Sequence, residues 1–264
     1  MEVGRIRVGI GGWVYDPWRG TFYPDGLTQS KELDYASRHL TAIEINGTFY
    51  RSPSAETYVK WYEESGPGVV FSLKAPRYST NRKVLAEGGE SIHRFIESGL
   101  TGLKEKLGPI NWQLAPTKKF DPVDFAAFLD ILPERVGDHV LRHAVEVRHD
   151  TFRHAEAVDI ARERGVAIVM AGDSEYPQIA DPTADFIYAR IMGTTEDHET
   201  GYGKAALDLW AARAKAWAKG EAAEGLQMVG AAKADGKPRD VYLYVISGHK
   251  VTNPAAAMEI IRRV

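Results

Sequence analysis

Short apolar, β-branched runs alternate with longer amphipathic stretches along the whole of this chain. The runs at Arg7–Ile10, Ala42–Asn46, Val70–Lys74, Ile110–Leu114, Ala144–Arg148, Ala167–Met170, Phe186–Ile191 and Val241–Ile246 predict strands of the kind buried in a parallel sheet. The stretches between them carry helix punctuation. Ser30 is expected to cap a helix with Leu33, Ala36 and Leu40 inward, and Ser52-Pro53 to open one bearing Tyr58, Trp61 and Tyr62, stopped by Gly66. Asp121-Pro122 opens a helix that buries Phe125, Phe128 and Leu129 and ends by Pro133, while His154–Arg164 closes on Gly165. Asn253-Pro254 opens the last helix, with Met258 and Ile261 on its face. Eight strands with helices between them predict a (β/α)8 TIM-like barrel, an open doubly wound sheet being the alternative. No long linker divides the chain, so residues 1–264 are expected to form a single barrel domain, with Gly220–Arg239 a surface excursion before the last strand.

Composition narrows the function. A formal charge of −3 argues against a general polyanion binder, although a local basic pocket stays open. The absence of cysteine removes disulfides, thiolate catalysis and cysteine-bound metals. The opening MEVGRIRVGIGG has no apolar core of signal-peptide type, and no run of about 18 apolar residues exists to span a membrane. A cytoplasmic location is therefore expected.

In barrels of this kind the working groups lie at the C-terminal ends of the strands and in the loops that follow. Here those positions hold Trp13, Tyr15 and Trp18 after the first strand, and Glu44, Asn46 and Tyr50 at the second. Lys74, Gln113, Glu146, Arg148, His149, Asp173 and Arg190 follow in order. Glu44 and Asn46, like Glu146 and Arg148, are two residues apart and so share a strand face. If those faces point into the mouth, Glu44, Asn46, Lys74, Gln113, Glu146, Arg148 and Arg190 converge. Such a set suits a small polar or anionic ligand, with carboxylates available for proton transfer.

Plainer readings compete at each position. Glu146 with Arg148, or Lys74 with Glu44, would serve as structural ion pairs. Glu44, Glu146, His149 and Asp173 are metal-ligand types, but no HxH or HExxH spacing is present and two cations would crowd a metal, so none is assigned. Lys74 is a conceivable Schiff-base nucleophile, though a salt-bridging lysine is the better reading. The aromatic series Trp13, Tyr15, Trp18, Phe22, Tyr23 follows neither a helix nor a strand period; it suits stacking on a sugar or base, or a lid packed on the barrel top. Gly9-Ile10-Gly11-Gly12 is too short for a dinucleotide fingerprint. His39, His93 and His154 fall in helical stretches and read as surface or packing residues.

The segments VGIGGWVYDPWRGTFYP, AIEINGTFY, FSLKAP, WQLAP, AVEVRHDTF, YARIMG and DVYLYV, taken in order, resemble the YecE-like family, domain of unknown function 72. The resemblance runs from near residue 6 to near residue 257 and implies a TIM-barrel fold without supplying a reaction. The family's motif positions here are Trp13, Tyr15, Trp18, Glu44, Asn46, Phe49, Tyr50, Lys74, Gln113, Glu146, Arg148, His149, Arg190 and Gly193. This chain departs from the family pattern at Met192, where a histidine is usual, and at Ile246-Ser247-Gly248-His249, where the eighth strand usually ends rich in asparagine.

The resulting expectation is an enzyme acting on a small polar substrate, phosphorylated or sugar-like, with no cofactor assigned. Glu146 and Glu44 would exchange protons, while Lys74, Arg148 and Arg190 would stabilise negative charge. Asn46 and Gln113 would orient the substrate beneath the Trp13–Trp18 loop, with Tyr50, His149 and Asp173 as further contacts. The alternatives are a nucleic-acid-binding or nucleic-acid-processing protein, which the acidic balance disfavours, and a non-catalytic sensor.

Overall fold

The computed structural model describes residues 3–230 and 234–264. Its strands are β1 (Ile6–Gly11), β2 (Ala42–Ile45), β3 (Val70–Lys74), β4 (Leu107–Gln113) and β5 (His143–Glu146). They continue with β6, in two pieces (Ala167–Ile168 and Met170–Gly172), β7 (Phe186–Ile191) and β8 (Asp240–Val245). All neighbours in this sheet pair in parallel, and β8 returns to pair with β1. The first piece of β6 pairs with β5 and the second with β7, while the Val169 amide between them still donates to the Val145 carbonyl at 2.9 Å. The sheet thereby closes into a TIM-like barrel, with its chain passing from strand to strand mainly through helices.

Alternation along the strands builds two apolar layers. Ile43, Phe71, Leu73, Ile110, Trp112, Val145 and Leu243 point outward into the layer shared with the helices. Ala42, Val70, Ala144, Ala167, Phe186, Tyr188, Tyr242 and Tyr244 fill the barrel interior. Because both faces are buried, the strands read as nearly unbroken apolar runs. At the C-terminal end the interior positions turn polar, and there Glu44, Lys74, Glu146 and Arg190 are all buried.

The helices are α1 (Glu32–His39), α2 (Ala55–Glu64), the single turn α3 (Arg77–Thr80), α4 (Gly89–Ile96), α5 (Pro122–Asp130), α6 (Ala155–Glu163), α7 (Lys204–Ala218) and α8 (Asn253–Ile261). Asp121 caps α5, accepting from the Val123 and Asp124 amides, with Pro122 in the first turn, as the sequence implies. Two expected starts move. Ser30 sits in a 3-10 turn ahead of α1, which begins at Glu32, and α2 is preceded by Ser54 rather than opened by Ser52-Pro53. In both cases a short polar or proline-containing stretch offers several competing starts, and packing chooses among them. The most deeply buried residues of α8 include Ala256, Ala257 and Ile260, small residues among them letting the helix lie close on β1, while the expected Met258 and Ile261 pack partly buried against the same core. Between β6 and β7 the chain runs as coil with no helix, anchored by Asp181, which accepts from the Val229 and Gly230 amides at 2.6 and 2.8 Å. The surface excursion Gly220–Arg239 is irregular over its described part, and its residues 231–233 lie outside the described residues.

One buried histidine gives the outer layer a pH dependence. Trp112 donates its indole N–H to His143 Nδ1 at 3.0 Å, and His143 Nε2 lies 2.7 Å from the Pro133 carbonyl. The indole only donates and the carbonyl only accepts, so the ring is neutral with its proton on Nε2. Burial pushes its pKa down from 6.5 to about 4, against the opposing pull of the Pro133 carbonyl. A histidine whose folded pKa lies below its unfolded value contributes stability that is complete above the unfolded pKa and disappears as pH falls through the folded one. Urea denaturation is therefore expected to show a fall of roughly 3 kcal/mol from this group as pH drops from 7 towards 4. His143→Phe should remove that part of the decline, and an identical pH profile in the variant would contradict it.

Candidate functional site

The interior residues at the C-terminal ends of β2, β3, β4, β5 and β7 form one hydrogen-bonded network. At its centre, Arg190 donates from Nη1 to both oxygens of Glu146 at 2.7 and 2.6 Å and from Nη2 to Glu44 at 3.0 Å. Its Nε also lies 3.0 Å from Glu44, off line for a hydrogen bond. Tyr188 donates to the other side of Glu44 at 2.7 Å, and Asn111 donates to Glu146 at 3.2 Å. Arg148 adds bonds of 3.0 and 2.7 Å to Glu146 and reaches on to Gln113 at 2.8 Å. Gln113 Oε1 also accepts from the Lys74 ammonium at 2.5 Å.

The charges do not balance. Arg190, Arg148 and Lys74 are three cations against the two carboxylates Glu44 and Glu146. The two arginines take the carboxylates, and among the described residues no carboxylate lies within ion-pair distance of Lys74. The expected Lys74–Glu44 pair is thus replaced by Lys74–Gln113, with the ammonium 4.4 Å from the Phe49 ring centre. The expected Glu146–Arg148 pair forms at 2.7 Å. Burial lowers the Lys74 pKa to about 8, with nearby Arg190 adding to the shift and Glu44 and Glu146 opposing it. Burial alone would raise Glu146, but Arg190, Arg148 and Lys74 hold it down at about 2. With both oxygens occupied, Glu146 has little capacity to accept a substrate proton.

The other candidates take different places. Asn46 stands outside the network on the wall of a neighbouring cavity of about 750 Å³, together with Trp13, Trp61, Arg51 and Lys250. Trp18 is buried, donating its indole N–H to the Lys250 carbonyl at 2.9 Å, and Tyr15 packs edge-on to it. The Trp18–Tyr23 part of the aromatic series is therefore packing, whereas Trp13 faces the cavity. Tyr50 is 69% exposed at the rim. His149 caps the 3-10 turn Asp150–Phe152 by accepting from the Thr151 amide. Asp173, at φ 51°, accepts from Tyr202 and the Trp210 indole at 2.9 Å each and so ties the end of β6 to α7. Neither His149 nor Asp173 hydrogen-bonds to the network.

Sequence reasoning passed over Asn111, Tyr188, Arg51, Trp61 and Lys250 as site residues. Asn111 and Tyr188 each lie two positions before a candidate residue, Gln113 and Arg190, so the same strand alternation would have found them. Arg51 and Lys250 lie in loops, where no period marks direction. Among the described residues no three His, Asp or Glu side chains gather as a metal ion would need, and no helix is long and apolar enough to cross a membrane.

A family model described as a protein of unknown function, DUF72, matches residues 7–264. The chain belongs to the DUF72 family. Its fold is similar to that of a DUF72 family protein from Thermotoga maritima, with a TM-score of 0.72 at 20% identity, covering 98% of both chains. A DUF72 family protein from Enterococcus faecalis gives a TM-score of 0.70 at 15% identity over 99% of this chain and 98% of that one. No curated protein matches. At the two places where the sequence suggested a departure from the family pattern, Met192 packs against the interior apolar layer, and Ser247 and Gly248 adopt positive φ of 57° and 53°. Gly248 fits because a Cβ there would lie 2.5 Å from the Thr194 hydroxyl.

Proposed function

We propose that this DUF72 protein is an enzyme that binds a small anionic substrate at the C-terminal mouth of its barrel, with Lys74 as the group that meets the anion and exchanges a proton. The observation that carries this reading is the surplus cation: three buried or half-buried positive groups face two carboxylates, and the one left over is Lys74. Holding an ammonium in a buried site without a counter-ion is costly, and an incoming phosphate or carboxylate relieves that cost. An ammonium that titrates near 8 also serves as acid or base close to neutral pH. Glu44 and Glu146, acid/base candidates by sequence, act in this reading as fixed counter-charges that keep Arg190 and Arg148 in place. Arg148 and Gln113 then hold the Lys74 amine in a set direction.

A thermal-shift panel of phosphomonoesters, sugar phosphates and small carboxylates tests the proposal. A ligand at about a hundred times its Kd should raise the melting temperature by roughly 5–10 °C. Lys74→Met, a near-isosteric loss of charge, should cut the shift to less than about half while leaving the folded protein intact by circular dichroism. Equal shifts in Lys74→Met and the parent protein would remove Lys74 from the site. No anion-induced shift at all would overturn the reading.

A further inference from the structure

The cavity beside the network has its own chemistry, set by different residues. Trp13 and Trp61 meet there at 81° with ring centres 5.5 Å apart, forming an aromatic corner rather than a stacked pair. Tyr58 packs edge-to-face behind Trp61, and Phe71 stands behind Trp13, so both indoles are braced from the protein side. A flat ring laid on one indole in such a corner presents its edge to the other, which is the arrangement that aromatic quadrupoles favour. The same cavity is lined by two cations, Arg51 from the loop after β2 and Lys250 from the turn after β8. No Asp or Glu lines it among the described residues. The Lys250 ammonium rests 4.1 Å from the Tyr15 ring centre and makes no ion pair among the described residues, so its charge remains available to a ligand. Asn46, also on the wall, offers both a donor and an acceptor.

We infer that this cavity binds a planar aromatic ring joined to an anionic group, a molecule of about mononucleotide size, with the ring against Trp13 and Trp61 and the anion at Arg51 and Lys250. The volume of about 750 Å³ suits such a molecule and exceeds what an isolated phosphate or carboxylate needs. The inference rests on the reading that the mouth takes an anionic small molecule and adds that the ligand must carry a ring, a requirement in which Lys74 has no part.

The test compares adenosine monophosphate with ribose 5-phosphate and adenosine by isothermal titration calorimetry and by tryptophan fluorescence. The parent protein should bind the monophosphate at least about tenfold more tightly than ribose 5-phosphate, since stacking on an indole contributes that much. Trp61→Leu should erase this preference, and Lys74→Met should keep it even if both affinities fall. Because Trp61 is partly buried, Arg51→Ser and Lys250→Met provide a second line at the cavity rim. Each should weaken the monophosphate several-fold and leave adenosine unchanged. Equal binding of the monophosphate and ribose 5-phosphate, or a ring preference that survives Trp61→Leu, would overturn the inference while leaving an anion site at Lys74 standing. Failure of all three probes to bind would overturn it too. A ring preference with no effect of Lys74→Met would instead uphold the inference and count against the proposed role of Lys74.

Discussion

Replacing Arg190 by Met should destabilise the protein by about 3–5 kcal/mol, enough to consume much of the stability of an ordinary domain. The side chain is buried and spans the interior, joining Glu44 on β2 and Glu146 on β5 to β7. Without it Glu146 keeps Arg148, but Glu44 retains only the neutral Tyr188 hydroxyl, and a fully buried carboxylate is left without a counter-charge. Most of the loss comes from that uncompensated charge, not from the bonds themselves. Adding Glu44→Gln to Arg190→Met should therefore recover a substantial part of it. Urea denaturation of the single and double variants checks both statements. A single-variant loss below about 1 kcal/mol would mean that water or relaxation already shields the carboxylates. Arg190→Lys should fall between the two, since one ammonium cannot reach both partners with the geometry of a guanidinium fork.

Gly9→Ala should be nearly as damaging, with an expected cost of about 3 kcal/mol or more. Gly9 pairs with Ala42 across β1 and β2, and a Cβ on it would sit 1.7 Å from the Ala42 carbonyl oxygen. That oxygen belongs to the backbone of the neighbouring strand, so no rotamer change relieves the overlap and the two strands must part. Gly12, three residues later, is a control of a different kind. Its φ is +75° and a methyl group added there would meet nothing within 4 Å, so Gly12→Ala should cost only the left-handed backbone penalty of about 1–2 kcal/mol. Chemical denaturation of the two variants side by side checks the contrast, and equal losses would show that strand separation at Gly9 is easier than the geometry implies.

The strands were legible because each is buried on both faces and therefore writes a dense apolar run into the sequence. β3 and β7 match the expected Val70–Lys74 and Phe186–Ile191 end for end. β6 was legible only as one run, because the change of partner at Val169 arises from the curvature of the barrel and leaves no mark on residue type. The convergence of Glu44, Lys74, Gln113, Glu146, Arg148 and Arg190 also followed from alternation, and one hydrogen-bonded network joins them. What alternation could not supply was the pairing inside that cluster. Whether Lys74 meets Glu44 or Gln113 depends on which cation reaches each carboxylate first, and that is a matter of side-chain length and strand stagger. Loop residues were the least legible. Asp173 and His149 bear reactive groups yet spend them on Trp210, Tyr202 and a turn amide, whereas Arg51 and Lys250, unremarkable in sequence, face the cavity.

The span of the Arg190 bridge also bears on how the chain assembles as it leaves the ribosome. Arg190 follows Glu44 by 146 residues and Glu146 by 44. The first five strands therefore emerge carrying both carboxylates well before their shared counter-ion exists. A half-barrel made from those strands has Arg148 and Lys74 beside the two carboxylates, but in the finished fold neither forms an ion pair with Glu44, so drying it would bury that carboxylate without its partner. Premature collapse of that fragment into a compact dead end is thus opposed by the charge it would trap. Dehydration of the interior must wait for β7, so the arrival of one late residue times the sealing of the whole barrel.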